Sequence, residues 1–341
     1  MTITTQTFGN GATLYTLTNK HNVSLSATDL GARIVNWYIP TTQGTKNIVL
    51  GFDSSDDYQT IDSYLGATIG RVAGRITNGT FTIDDTEYHV TTQSDQNNNT
   101  LHGGPDSFET KIWHTTINDE HNQLIFTYNS SDSENGFPGN LEVQVSYTLT
   151  DDNEWLIDYH ATTDQATLFN PTNHVYFNLT GNPEETIHEH TLQLASETFA
   201  VINKDVTVTG EKRNVGGTPF DFRQPRKIAQ IYDTDYEQNV LVGGLDHPFF
   251  LEKTDGPQAT LTSPTGDIKV EMTTDEEAVV IFSANFGPDK TDESKKLTNF
   301  TGITLETQAA PGAIEFDDFG DIILRPNKAF HSKTCFKVQY T

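Results

Sequence analysis

Apolar and polar residues alternate with a period of two along most of the chain. Leu141-Glu-Val-Gln-Val-Ser-Tyr-Thr-Leu149 places Leu, Val, Val, Tyr and Leu on one side and mostly polar residues on the other, the signature of a half-buried strand. Asp151-Asp-Asn-Glu reads as a turn, and Trp155-Leu-Ile-Asp-Tyr-His-Ala161 resumes the alternation, so the two runs form a hairpin. Thr80-Phe-Thr-Ile, the turn Asp84-Asp-Thr and Glu87-Tyr-His-Val90 make a second hairpin. Short strands are also predicted at Ile48–Phe52, Leu124–Tyr128, Asp267–Met272, Val279–Ser283 and Cys335–Tyr340, punctuated by Gly, Asn, Asp and Pro. No long stretch has helical periodicity; helical turns are expected only near Ser54–Thr60 and Pro225–Tyr232. No repeat or linker divides the chain. The expectation is therefore an all-β fold, a large antiparallel β-sandwich in one domain over 1–341, with unusually wide sheets.

Composition narrows the function. The 341 residues carry a formal net charge of -26, a field that repels nucleic acid and anionic lipid. The acidic residues are scattered, as in a solubility surface. Only one cysteine, Cys335, is present, so no intrachain disulfide and no cysteine-based metal site can form. The first residues show neither a basic nor an apolar segment of a signal peptide, and no apolar run approaches a membrane span. A cytoplasmic protein with no membrane or nucleic-acid partner is expected.

Four segments stand out against this background. Leu101-His102-Gly103-Gly104 follows the loop Asn97-Asn-Asn-Thr100; two glycines let the backbone turn sharply or pass close to a neighbour, and a turn with a surface histidine would look the same. Asn170-Pro-Thr-Asn-His174-Val-Tyr-Phe-Asn-Leu179 sets His174 at the start of a strand after a proline turn, where a histidine is often structural. Gly244-Leu-Asp246-His247-Pro248-Phe249 puts a carboxylate on a loop bracketed by Gly and Pro; it is either a binding group or an Asx-turn. In Gly302-Ile-Thr-Leu-Glu306-Thr-Gln308, alternation sends Thr304 and Glu306 to one face, and the residues alone favour a solvent-facing Glu306 over a buried one. His188-Glu-His190 would place two imidazoles on one strand face, yet no third ligand has metal-site spacing. His21, His89, His114, His121, His160 and His331 read as surface or packing residues.

Taken in order, these four segments resemble the aldose 1-epimerases. Further landmarks agree: Leu30-Gly-Ala-Arg33, Gly66-Ala-Thr-Ile-Gly-Arg71, Ala73-Gly-Arg75-Ile, Phe220-Asp-Phe-Arg223 and Pro311-Gly. The resemblance spans nearly the whole chain. It implies a β-supersandwich with a sugar cleft on one face, a sugar substrate, and neither metal nor organic cofactor; the chain would act as a monomer or homodimer. Position by position it makes Glu306 the catalytic base and His174 the catalytic acid, with His102, Asp246 and Arg75 holding the sugar. Two departures bear on hydroxyl recognition. Gly74 stands where many members have Asn, and Val280 aligns with a sugar-contacting Gln.

The implied chemistry suits these residue types. Ring opening of a cyclic aldose takes a proton from the C1 hydroxyl and gives one to the ring oxygen, which needs a base and an acid on opposite sides of the hemiacetal. A carboxylate and an imidazolium suffice. Asp246 would accept hydroxyl protons, Arg75 and His102 would donate, and Tyr176 or Phe249 could stack on the sugar. Rival readings are a hexose-6-phosphate mutarotase, a glycoside hydrolase using Glu306 and Asp246, and a sugar-binding protein without catalysis.

Overall fold

The computed structural model describes residues 2–42, 44–232, 234–287 and 297–341. The chain opens with a five-stranded meander of Thr2–Gly9, Ala12–Thr18, Ser24–Thr28, Arg33–Thr41 and Gly44–Asn47. A nine-stranded sheet follows in the order His114–Asn118, Gln123–Ser130, Leu141–Leu149, Glu154–Thr163, Ala329–Tyr340, Ile268–Thr274, Ala259–Thr262, Thr191–Leu194 and Arg226–Lys227. A second five-stranded sheet has the order Val208–Asn214, Thr198–Ile202, Asp246–Phe250, Ala278–Phe282 and Glu306–Gln308. All the strand pairs within these sheets are antiparallel. The expected all-β antiparallel sandwich is thus the observed fold, and nine strands make the expected wide sheet.

The alternation works as the hairpins require. Leu141, Val143, Val145, Tyr147 and Leu149 are buried, while Glu142 and Gln144 face solvent. They join one continuous core with Trp37, Trp155 and Phe336 and with Phe199, Phe249 and Ile281 of the second five-stranded sheet. Trp37 meets Trp155 edge-on, with centroids 5.9 Å apart at 78°. The sheets pack because each has one apolar face to hide.

Several sequence expectations shift. Ile48–Phe52 forms no strand; Val49 makes a single bridge to Phe177, as a short apolar run can be buried without pairing along its length. His174 lies between the two-residue strands Thr172–Asn173 and Tyr176–Phe177 rather than at the start of one. His188 and Glu189 belong to the 3₁₀ turn Ile187–Glu189, so the two-histidine strand face does not exist. The helical turns appear as the α-helix Ser55–Thr60 and the 3₁₀ segment Ile228–Ile231, joined by an unanticipated helix at Glu237–Val242. No helix among the described residues is long and apolar enough to cross a membrane.

Two buried guanidinium groups organise the loops above the sheets. Arg33 donates to the carbonyls of Leu30, Ser63, Leu65 and Glu109 and lies over the Tyr58 ring at 4.2 Å. Arg71 makes six hydrogen bonds, to the side chains of Ser130 and Thr167 and the carbonyls of Ser130, Ser131, Pro138 and Gly139. Burial brings its pKa down to about 10, which leaves it charged at neutral pH. Arg71→Met would take the guanidinium donor from the buried carbonyls of Ser130, Pro138 and Gly139, and a buried carbonyl left unpaired costs about 1–3 kcal/mol. A clear fall in the urea midpoint is expected, and an unchanged midpoint would contradict this bracing role.

Candidate active site

The second five-stranded sheet forms the floor of a cleft of about 1080 Å³, including solvent at its mouth. Its register explains which side chains reach the cleft. Asp246 pairs with Phe282, Pro248 with Val280, and Val280 with Glu306. Side chains two apart share a face, so Asp246, Pro248, Val280, Phe282, Glu306 and Gln308 all line the cleft. The intervening His247, Phe249, Val279 and Ile281 are buried beneath. Glu306 is therefore not solvent-facing: it is 2% exposed, because both faces of its strand are covered.

The remaining groups come from the loops above. The two-stranded pairing of Arg75–Ile76 with Thr100–Leu101 sets Arg75 beside His102. The turn that follows is not a surface turn. His102 is buried with φ of 53°, and Gly103 is glycine by necessity, since a Cβ there would lie 2.2 Å from the Gly70 carbonyl oxygen. His174 is delivered by backbone bonds from its own N–H to the Ala67 carbonyl and from the Gly66 N–H to its carbonyl, both 2.9 Å. All five residues singled out in the sequence, Arg75, His102, His174, Asp246 and Glu306, thus line one cleft.

Two close pairs result. His174 Nε2 lies 3.4 Å from Glu306 Oε1, with both side chains almost fully buried. The acid and base expected on opposite sides of a hemiacetal are therefore neighbours. The Thr304 hydroxyl also donates to Glu306 Oε1, at 3.0 Å. Burial raises the Glu306 pKa, opposed by His174 and Thr304, and Asp246 adds to the rise. Arg75 Nη1 lies 4.0 Å from Asp246 Oδ2, and Arg75 Nη2 donates to Gln96 Oε1 at 3.2 Å. Loss of water raises the Asp246 carboxyl too, against the pull of Arg75 and His174.

His102 has a defined tautomer. The Gly74 N–H donates to His102 Nδ1 at 3.1 Å, and the His102 N–H donates back to the Gly74 carbonyl at 3.0 Å. An Nδ1 that accepts leaves the proton on Nε2. Burial, helped by His174 and Arg75, holds this imidazole well below its ordinary pKa, so it stays neutral. The ligand atoms of His102, His174 and Glu306 lie within 4.8 Å of one another, close enough to suggest a metal. Yet a ligating histidine normally donates its outer N–H to an acceptor. Here that position receives an N–H, so His102 presents a hydrogen-bond donor to the cleft rather than a lone pair.

Sequence reasoning missed other lining residues. Tyr64 and Asp62 sit in an irregular loop, Gln96 ends the short 3₁₀ turn Ser94–Gln96, and Asn285 and Phe286 follow the floor strand. Phe282 and Gln308 were legible, lying two residues from Val280 and Glu306. Tyr176 faces the cleft as a stacking residue would, but Phe249 is turned away into the core. Arg71 is committed elsewhere, and His190 is buried, its Nε2 accepting the Leu179 N–H at 2.9 Å. Gly74 has φ of +77°, and a Cβ there would meet Pro311 Cγ at 2.6 Å.

Comparison with known proteins points in one direction. A family model described as aldose 1-epimerase matches residues 13–337. Aldose 1-epimerase of Escherichia coli K12 is 34% identical over 328 residues, covering 94% of this chain and 93% of that one. Human galactose mutarotase is 33% identical over 312 residues, covering 90% and 88%. The crystal structure of a galactose 1-epimerase from Lactobacillus acidophilus superposes with a TM-score of 0.87 at 27% identity, covering 99% and 98% of the two chains.

The tautomer of His102 is directly measurable. Ring ¹⁵N shifts should report a neutral Nε2–H imidazole throughout the range of roughly pH 5–8 in which a free histidine titrates. A protonation step near 6.5, or an Nδ1–H tautomer, would contradict the geometry.

Proposed function

The chain belongs to the aldose 1-epimerase family, and on that premise we propose that Glu306 and His174 are the base and acid with which it exchanges the α and β anomers of free hexoses such as galactose and glucose. The observation that carries this reading is the buried His174–Glu306 pair at 3.4 Å, which joins the floor of the cleft to the loop above it. The two oxygens that exchange protons are bonded to the same carbon of the sugar. The groups that serve them must therefore be neighbours, which suits adjacent placement better than the opposed placement expected from chemistry alone.

The steps are these. The Glu306 carboxylate takes the C1 hydroxyl proton as His174 Nε2–H protonates the ring oxygen. The bond from C1 to the ring oxygen breaks, and C1 becomes a carbonyl carbon. Rotation about C1–C2 presents the other carbonyl face. On closure neutral His174 takes back its proton, and protonated Glu306 returns one to O1. Each group ends as it began. Asp246 accepts sugar hydroxyl protons, while Arg75 and the Nε2–H of His102 donate. The reaction as written uses no cofactor. A hydrolase reading has less support, because it would leave the His174 partner of Glu306 and the buried His102 without a role.

The test is anomer exchange of fresh α-D-galactose and α-D-glucose, followed by polarimetry or NMR. Glu306→Gln and His174→Asn should each slow exchange by about 10²–10⁴-fold while sugar binding stays detectable. Retention of more than about half the wild-type rate by the Gln variant would sink the assignment of the base.

Charge decides a second outcome. Among the described lining residues Arg75 is the only Lys or Arg, against Asp62, Asp246 and Glu306. A phosphate near two negative charges usually needs several cationic or amide donors. Free glucose should therefore exchange much faster than glucose 6-phosphate at equal concentration, and faster exchange of the ester would favour the sugar-phosphate alternative.

A further inference from the structure

The assignment of His174 leaves open what holds its ring. A histidine that transfers protons from one nitrogen is usually oriented by a hydrogen bond at the other. Here Nδ1 of His174 is buried and has no hydrogen-bond partner among the described residues. The torsion that turns an imidazole about its Cβ–Cγ bond is intrinsically broad. No hydrogen bond from a described residue at Nδ1 narrows it.

Rings supply the restraint instead. Tyr64 lies nearly parallel to the imidazole, at 27° with centroids 6.2 Å apart. Tyr176 packs at 5.1 Å and 39°, and His102 meets the imidazole edge-on at 5.3 Å and 90°. Tyr64 also touches His102, at 4.8 Å and 66°. Tyr176 and His102 already belong to the floor contacts and the donor set. Tyr64 alone comes from a separate loop and packs against both histidines.

That loop is braced at each residue. Asp62 Oδ1 accepts the N–H groups of Tyr64 and Leu65, at 2.8 and 3.0 Å. The carbonyls on either side of Tyr64, those of Ser63 and Leu65, accept from the buried Arg33 guanidinium. The Tyr64 carbonyl accepts the Ala67 N–H at 2.9 Å, and Gly66 and Ala67 are themselves bonded to the His174 backbone. At its far end, the Tyr64 hydroxyl accepts from Gln93 Nε2 at 3.4 Å. Gln93 Oε1 in turn accepts the N–H of Leu101, the residue before His102. Burial keeps the phenol protonated by raising its pKa. The ring is thus fixed at both ends and neutral.

We propose that Tyr64 is the positioning residue for His174: its braced ring takes the place of an Nδ1 hydrogen bond and holds Nε2 toward Glu306. This rests on the acid role proposed for His174. The contribution is the ring's, not the hydroxyl's, since the hydroxyl points to Gln93 and not to either histidine. A misplacement of about 1 Å at a reacting group can cost about 10²-fold in rate.

Two arms test it. In the kinetic arm, Tyr64→Leu should lower kcat by about 10–10²-fold, with KM changed far less. Tyr64→Phe, which keeps the ring, should retain most of wild-type kcat. A Leu variant that raises KM at unchanged kcat would make Tyr64 a sugar-contacting wall and overturn the proposal. So would a Phe variant as damaged as the Leu variant, which would assign the effect to the hydroxyl and Gln93. The second arm needs no turnover. In sugar-free protein of unchanged circular dichroism, the His174 ring ¹⁵N resonances should broaden or shift in Tyr64→Leu but not in Tyr64→Phe. Unaltered His174 resonances in the Leu variant would also overturn it. Wild-type protein inactive on every aldose would count against the proposed function alone, because the NMR arm still reads the ring's restraint.

Discussion

Burying a carboxylate that, on the proposed reading, must stay ionised is the constraint around which the cleft is arranged. Glu306 is almost entirely removed from water, which favours its neutral form. Against that cost the structure sets the His174 imidazole at 3.4 Å, the Thr304 hydroxyl at 3.0 Å, and the more distant Arg75. Asp246 works the other way, and Arg75 beside it limits the damage. Each carboxylate therefore has its own nitrogen partner, His174 for Glu306 and Arg75 for Asp246. Removing any one would leave a neighbour poorly compensated, so effects of paired substitutions should not add.

The fold meets this constraint through a division of labour. The sheet sets the floor residues by register, which is rigid because a one-residue slip would bury the whole polar set in the core. The loops cannot rely on register, and two buried arginines brace them. Arg33 ties the Ser63 and Leu65 carbonyls of the Tyr64 loop to those of Leu30 and Glu109, and Arg71 joins the segment leading to Arg75 to the ends of strands in the nine-stranded sheet. Guanidinium suits this work because its planar fork can satisfy several carbonyls at once and remains charged even when burial lowers its pKa. Both arginines sit in segments that the sequence marks only as family landmarks.

This explains what was legible. The strands with a wet face, such as Leu141–Leu149, announce themselves because alternation is the image of one dry side and one wet side. Where both sides are covered the image fades. Glu306 read as solvent-facing for that reason, and its true burial follows from a cleft roofed by loops far away in sequence. Ile48–Phe52 failed in the opposite sense: Ile48, Val49 and Leu50 are buried, but their pairing stops at the single bridge to Phe177. The five residues named from family resemblance meet in one cleft, yet nothing local in Leu101-His102-Gly103-Gly104 reveals that Nδ1 will be taken by Gly74. Tyr64 had no signal at all, since its meaning lies in contacts with residues 38 and 110 positions onward.

The middle of the floor differs in kind from its ends. Pro248, Val280 and Phe282 lie between the Asp246–Arg75 pair and Glu306, and none offers a side-chain hydrogen bond. Gly74, hemmed in by Pro311, adds none from above. On the proposed reading, polar recognition is concentrated at the two ends of the sugar, and the centre contributes apolar contact. A site that hydrogen-bonds a hydroxyl rejects its absence strongly, because its own groups are left unpaired, whereas an apolar surface discriminates only weakly. The cleft is therefore built to be strict about the anomeric end and the Asp246 end and permissive between them, which accords with a family whose reaction leaves every other carbon of the sugar untouched.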